Sequence, residues 1–378
     1  MKRKIIRGGC LALAGILFLL FLLFFQGTEK TTLLETEGRN FEKAEVTEIL
    51  QDNVTESGNI VGTQTVMLKL LSGSHKGELV QANSSSGYLF GAHCEVGMKV
   101  VVIVSESGDE MAASVYTYNR EPAVWFMVGL FVLAILLIGG KKGVASVASL
   151  GFTMVCIFFL FLPMIYRGVS PVLAAVFVVV VTTVVTMFFI DGFSKKSLAA
   201  MAGTVSGVVV SGLFAWLFGK AAHISGYNVS DIENLIYVEG MTDIKIGELL
   251  FAGILIAALG AVMDVGMSIS STINELKEKK PEMKAKELFV SGMTVGKDMM
   301  GTMSNTLILA FTGGSINTLV FIYAYDYQYR QIINMYSVGI ELMQGLSASM
   351  GVILTVPLTS LIGAWLMGKG EILKKQKK

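Results

Sequence analysis

The stretch GELLFAGILIAALGAVMDVGMSISST, residues 247–272, decides the fold class. At about 1.5 Å per residue it is long enough to cross a ~30 Å hydrocarbon layer as a helix. One residue sits awkwardly in that reading. An ionised carboxylate at Asp264 costs roughly 2.5–3.5 kcal/mol on insertion scales, so an acid at this depth is expected to face protein or water. Wound as a helix, the stretch puts Gly253, Ala257, Gly260, Asp264, Ser268 and Ser271 on one stripe, with Leu, Ile, Val and Met on the rest. Such a stripe either packs closely on another helix or lines a wet passage.

The remainder of the chain agrees with a membrane setting. Of its 378 residues 53% are hydrophobic and 16% charged, with a mean hydropathy of +0.64. A soluble domain carries about 25% charged residues. Several apolar runs exceed 18 residues, so the fold class is an α-helical polytopic membrane protein. The net charge of +1 excludes no partner by itself. Cys10, Cys94 and Cys156 lie far apart without metal-type spacing, so neither a disulfide framework nor a metal site is expected.

Windowing predicts about eight transmembrane helices. The first, Ile5–Phe25, follows Lys2, Arg3, Lys4 and Arg7 and lacks a small-x-small cleavage site. Residues 1–27 therefore read as an uncleaved signal-anchor. The others are Ala123–Gly140, Val144–Ile165, Val172–Ile190, Leu198–Phe218, Gly247–Thr272, Met299–Tyr323 and Gly345–Met367, a bundle over 121–370. A basic cytoplasmic tail, 371–378, closes the chain. With the N-terminus inside, the inner segments gather Lys141, Lys142, Lys195, Lys196, the lysines between 277 and 297, and the tail lysines. The short outer loops hold only Arg167, Lys220, Lys245 and Arg330. That asymmetry places both termini in the cytoplasm of a cell membrane. Tyr323, Tyr325, Tyr327 and Tyr329 read as an interfacial belt.

Residues 26–120 then lie outside. Within 40–120, AEVTEIL, TQTVMLKLL, ELVQANS, KVVVIVS and AASVYTY alternate in the strand manner between Gly- and Ser-rich turns. Five short strands suggest a small extracytoplasmic all-β barrel of the OB or SH3-like kind. It lacks the aromatic platform and basic groove that nucleic acid requires, so no nucleic-acid partner is expected. Its histidines, His75 and His93, lie outside any ligand cluster. The domain reads as a rigid adaptor, with partner contact as the sharper alternative.

Inside the membrane a second polar stripe appears. DMMGTMSNTLILAFTGGS begins at Asp298 and sets Thr302, Asn305, Thr306, Thr312 and Gly313 on one side of a helix. From their distances to the inner boundary, Asp264 is roughly 12 Å deep and Asn305 roughly 9 Å deep. The two could face each other, the amide of Asn305 serving the carboxylate of Asp264. The competing reading is a structural bond that fixes helix register, worth only about 0.6 kcal/mol on average. Gly203-xxx-Gly207-xxx-Ser211 is a helix-packing pattern. Pro357 should kink the last helix, with Thr355, Thr359 and Ser360 close enough to serve freed carbonyls. Pro281 suits a first helical turn, and the apolar stripe Ala285, Leu288, Phe289, Gly292, Met293, Gly296, Met299 and Met300 beyond it suggests a short interfacial helix leading into the seventh span. Ser230 with Glu233 suggests a capping box opening a short outer helix. No P-loop, dinucleotide-binding glycine motif, HExxH or nucleophile elbow is present, so no enzyme activity and no cofactor are expected.

GAVMDVGMSIS at Gly260–Ser270 and DMMGTMSNTLILAF at Asp298–Phe311, behind an outer β-rich segment, resemble the YibE/F-like family of bacterial multi-spanning proteins. Coverage runs from about Ala44 to Met367. One departure is Ser315-Ile316-Asn317, where family members often continue with Ser-Leu-Pro. The resemblance implies a bacterial cytoplasmic-membrane protein of the kind described as a permease, and carries over no substrate and no catalytic residue. Together these readings give a permease-like protein of unknown substrate. Asp264 is its titrating or ion-contacting group, Asn305 and Thr302 support it, and Ser268 and Ser271 line the seam. The alternative is a non-transporting scaffold acting through its outer domain. Its partners are the lipid bilayer and either a second membrane protein or further copies of itself.

Overall fold

A computed structural model describes residues 39–54, 60–85, 91–107 and 110–368. The expected anchor at 1–27 and tail at 371–378 lie outside them. The chain divides into two compact units, one within Thr32–Ala134 and one continuing from Ile135.

The first unit is a closed five-stranded barrel. Its strands are β1 (Arg39–Gln51), β2 (Thr63–Leu70), β3 (Leu79–Ser85), β4 (Lys99–Ser107) and β5 (Glu110–Tyr118), where the alternation places them. They follow one another as β1-β2-β3-β5-β4, closed by antiparallel β4–β1 pairing. Every neighbour is antiparallel except β3–β5, which pair in parallel through Ala82–Ala113 and Asn83–Ser114. Of the two expected barrel types this is the OB arrangement. Val66, Leu68 and Leu70 of β2 and Val100, Val102 and Val104 of β4 fill the interior.

The parallel pair is short, and side chains complete the barrel beside it. The segment after β3 sends Ala92 and Cys94 into the core. Ser84 Oγ donates to the Ala92 carbonyl (2.5 Å) and accepts from its N–H (3.0 Å). The Gln64 amide accepts from Cys94 N–H (2.8 Å) and donates to the Cys94 carbonyl (3.1 Å). Gln64 and Ser84 are fully buried and act as surrogate strand backbone. Gln64→Leu would strand two backbone groups in a dry core at about 1–3 kcal/mol each. Burial lifts the Cys94 thiol above its ordinary range, and its hydrogen bond with Ser84 offsets this in part. The barrel should therefore hold this contribution below the ordinary thiol range and lose it as pH rises past that range. In full-length protein carrying Cys10→Ser and Cys156→Ser, Cys94 should resist maleimide near neutral pH. Gln64→Leu should accelerate labelling at least about tenfold, since 1.4 kcal/mol is tenfold in an opening equilibrium. An unchanged labelling rate would show that the surrogate pairing is dispensable.

The second unit is helical. α1 (Glu121–Cys156) runs through a π turn at Ile157–Phe161 into α2 (Leu162–Tyr166). Then follow α3 (Pro171–Asp191), α4 (Lys195–Ala222), α5 (Ile232–Met241), α6 (Leu249–Lys279), α7 (Ala285–Gly314), α8 (Ile316–Ala324), α9 (Tyr329–Ile333) and α10 (Tyr336–Gly368). Among the described residues five stretches are long and apolar enough to cross a membrane, or six if α7 and α8, bent by 63°, count as one. This is fewer than the seven expected after the anchor. The first stretch, Glu121–Tyr166, merges two of the expected spans. It is broken at Gly140, whose φ of 53° and ψ of −128° leave helical space. The chain doubles back there, since a Cβ on Gly143 would sit 2.3 Å from the Ile135 carbonyl oxygen.

α10 packs on α4, α6 and α7, α6 packs on α4 and α7, and α3 lies against α4 and α6. The α4–α10 contact is an antiparallel zipper of small residues. A Cβ on Gly203 would meet Thr359 Oγ1 at 1.9 Å, one on Gly207 Thr355 Oγ1 at 1.8 Å, and one on Gly351 Ser211 Cβ at 2.9 Å. The Gly203, Gly207, Ser211 spacing thus serves packing. α10 stays helical through Pro357. Thr355 Oγ1 donates to the Gly351 carbonyl (2.7 Å), whereas the Thr359 and Ser360 hydroxyls have no partner, so none of the three serves the carbonyl of Ile353 that proline frees.

Two local expectations are corrected. No separate interfacial helix precedes the seventh span, because α7 is continuous from Ala285 and buries Leu288, Gly292 and Gly296 against the bundle. The break falls at Ser315, whose hydroxyl returns to the Phe311 carbonyl (3.1 Å). The short outer helix α5 forms, but without the Ser230–Glu233 box. Asp231, at φ 60°, is its N-cap and makes no side-chain cap bond. At the same end, the hydroxyl of Ser170 before α3 donates to Glu248 before α6, and Tyr227 donates to Glu239 (3.0 Å). That bond raises the Tyr227 phenol above its ordinary value.

Candidate functional site

The predicted stripe on α6 exists as a face. Gly253, Ala257, Gly260 and Asp264 are exposed, and Ser268 and Ser271 half-buried, while Leu255, Val262, Val265 and Ile269 turn into the core. The small residues lie open, with no neighbouring chain within 4 Å of a Cβ built on Gly253 or Gly260. α7 carries its own outward face. Thr294, Asp298, Gly301, Thr302, Asn305 and Thr312 are exposed along it. Thr302 Oγ1 returns to the Met299 carbonyl (2.9 Å). Asp264 and Asn305 make no hydrogen bond or ion pair among the described residues.

The expected Asp264–Asn305 pairing within one chain does not form, and the helix contact explains why. α6 meets α7 where Ile269 Cδ1 lies 3.0 Å from a Cβ on Gly296 and Ile273 Cδ1 2.8 Å from a Cβ on Gly292. At 3.6 residues per turn, Ile269 and Ile273 are roughly 140–180° round α6 from Asp264. Gly292 and Gly296 are likewise roughly 140–180° round α7 from Asn305. Each polar face therefore points away from the other helix. The same register sets Asp264 level with Gly301 and Asn305 level with Gly260, about 6 Å apart along the axis. Sequence spacing fixes which residues share a helix face, but it carries no information on which way a helix turns that face.

Sequence reasoning missed Thr183, Thr204, Ser304 and Ser349 inside the bundle, and assigned Ser211 to packing and Thr359 and Ser360 to the carbonyls freed by Pro357. All seven have buried hydroxyls without a partner among the described residues. The repeat Gly351, Thr355, Thr359, Gly363 at four-residue spacing was the available signal for those on the α10 seam. Among the described residues no group of three or more His, Cys, Asp or Glu could hold a metal ion. A charge pair, Lys279 with Glu275 (2.7 Å), closes the exposed end of α6 and lowers the Glu275 carboxyl below its ordinary range.

With this geometry in place, comparison with known proteins gives one match. The family model described as YibE/F-like protein matches residues 127–369, which takes in every membrane-type helix except the first residues of α1. No curated protein and no solved structure matches the chain.

Proposed function

The chain belongs to the YibE/F-like protein family, and on that premise we propose that it is a permease-like protein whose polar seam is assembled between copies. The observation that carries this reading is the pair of outward polar faces, Asp264 on α6 and Asn305 on α7, turned to opposite sides of one bundle. Lipid tails satisfy neither a carboxylate nor an amide, so both faces call for protein or water. Each meets what it lacks on the other. The α6 face offers a carboxylate acceptor among small residues, and the α7 face offers the amide of Asn305 beside an open Gly301. A head-to-tail contact of α6 on α7 of the next copy sets Asp264 level with Gly301, with Asn305 about 6 Å away along the axis, and forms a ring where its rotation closes. Asp264 would then be the titrating or ion-contacting group, with Ser268 and Ser271 extending the seam inward.

The topology follows the same reading. The reversal at Gly140, beside Lys141 and Lys142, makes two passes of a stretch that would be about 69 Å long if straight. With α7 and α8 as one broken span, seven passes follow the barrel. The lysine pattern puts the barrel outside a cell membrane and the C-terminus within. The scaffold alternative gains from the bundle's interior, where α4, α6 and α10 close on apolar side chains and small-residue contacts. Flux through proteoliposomes separates the two. A permease loses flux in Asp264→Asn at normal reconstitution, whereas a scaffold shows no flux in either protein.

A further inference from the structure

A cavity of about 420 Å³ opens between α4, α7 and α10, on the side of α7 that holds Ser304 and Ile308. Its walls include Phe214 and Phe218 of α4, Ile308 of α7 and Met350 of α10, and no charged residue lines it. Three serines interrupt this apolar lining, Ser304 of α7 and Ser347 and Ser349 of α10. Ser349 is 5% exposed, and the Ser304 and Ser349 Oγ atoms are buried without a hydrogen-bond partner among the described residues. Helical serines and threonines normally give this proton back to a carbonyl one turn earlier. Thr182, Ser206 and Thr355 do so here, each at 2.7 Å. A buried hydroxyl that declines this bond is costly unless something else takes it. Ser349 lies about 20 Å along α10 from Tyr336, so the cavity sits near the middle of a membrane-length helix.

We propose that this cavity binds a neutral lipid drawn from the bilayer, an apolar chain bearing a single hydroxyl or carbonyl group. The volume falls within the ~300–1,000 Å³ of small-molecule sites. The absence of charge in the lining disfavours fatty-acid anions and phospholipid head groups. Ser304 and Ser349 supply one polar end, and the Phe214, Phe218, Ile308 and Met350 side chains take the chain. The site is separate from the Asp264 face and does not depend on the permease reading.

The test uses the full chain in lipid nanodiscs with a diazirine-bearing long-chain alcohol, and the matching diazirine alkane as control. The alcohol should label Ile308 and Met350 about five- to tenfold more than the alkane does, the ratio a single hydrogen bond supplies. Excess unlabelled alcohol should compete. Ser304→Ala with Ser349→Ala should erase the preference for the alcohol while leaving the cavity open, and Ser349→Leu should block labelling by either probe. Labelling of Ile308 and Met350 no stronger than at outward-facing Leu361 and Val209 would reduce the cavity to ordinary lipid contact and overturn the proposal. So would an alcohol preference that survives the double alanine variant.

Discussion

Gly207→Leu in the full chain is expected to leave no monodisperse protein after extraction in mild detergent. The residue sits at the centre of the α4–α10 zipper, where even a methyl group would lie 1.8 Å from Thr355 Oγ1, 2.7 Å from Val262 Cγ1 and 3.2 Å from the Gly351 carbonyl oxygen. A carbonyl oxygen cannot rotate away, so a branched side chain must push the helices apart. Separation would also undo the Gly203–Thr359 and Ser211–Gly351 contacts on either side. Bilayer lipid is as apolar as the helix surfaces, so close packing rather than hydrophobic burial holds such helices together, and loss of contact is not offset. Gly207→Ala is the graded form. Overpacking of this size costs about 1–3 kcal/mol, which corresponds to a fall of about 2–12 °C in thermal midpoint for a unit of this length. Thr355→Ala removes the nearest clashing atom and should return most of that loss. If Gly207→Ala alone melts as wild type, the zipper is looser than the geometry requires.

The second large effect concerns Asp264. Its side chain is exposed and makes no bond among the described residues. Asp264→Leu should therefore leave the fold of a single copy intact, with a thermal midpoint in detergent at or slightly above that of wild type. Assembly should respond differently. If the carboxylate accepts from Asn305 of a neighbouring copy, leucine removes the acceptor and leaves that amide facing an apolar group. Such a loss typically costs about 1–3 kcal/mol at each contact, or roughly five- to a hundredfold in association. Asp264→Asn keeps an acceptor and should keep assembly, while removing the group that can gain or lose a proton. Flux should then fall by at least about tenfold with the assembly unchanged. A variant set in which leucine and asparagine behave alike would argue for a simple lipid-facing position.

Much of this architecture was legible in the residues, and the gaps have physical reasons. Strand boundaries followed from alternation, and all five strands formed where the β-prone runs lie, because a half-buried pleat imposes a period of two. The order of strands did not follow, since the short parallel β3–β5 contact and its completion by Gln64 and Ser84 depend on groups 30 and 8 residues from their partners. On α6 the stripe from Gly253 to Ser271 was correctly drawn as one face, because helical periodicity alone determines it. The partner of that face was not, because depth along two helices was estimated without their rotation. Ile269 and Ile273 take the contact with α7, and Asp264 is left outside. Gly140 was read as the end of a span, and the helix breaks and doubles back there. Ser315, just before Ile316-Asn317 where the sequence departs from the family's usual continuation, is the break between α7 and α8.

Intermolecular cysteine cross-linking in native membranes tests the central claim most directly. Two differently tagged chains are co-expressed with Cys10, Cys94 and Cys156 replaced by serine, one carrying Gly253→Cys on α6 and the other Thr312→Cys on α7, positions set at one level by the helix register. The account predicts a disulfide between the two tagged chains that exceeds either the α6–α6 or the α7–α7 product and is lost when Asp264→Leu is added. Chains that stay monomeric, with the Gly253→Cys thiol open to a lipid-confined reagent in every copy, would contradict it.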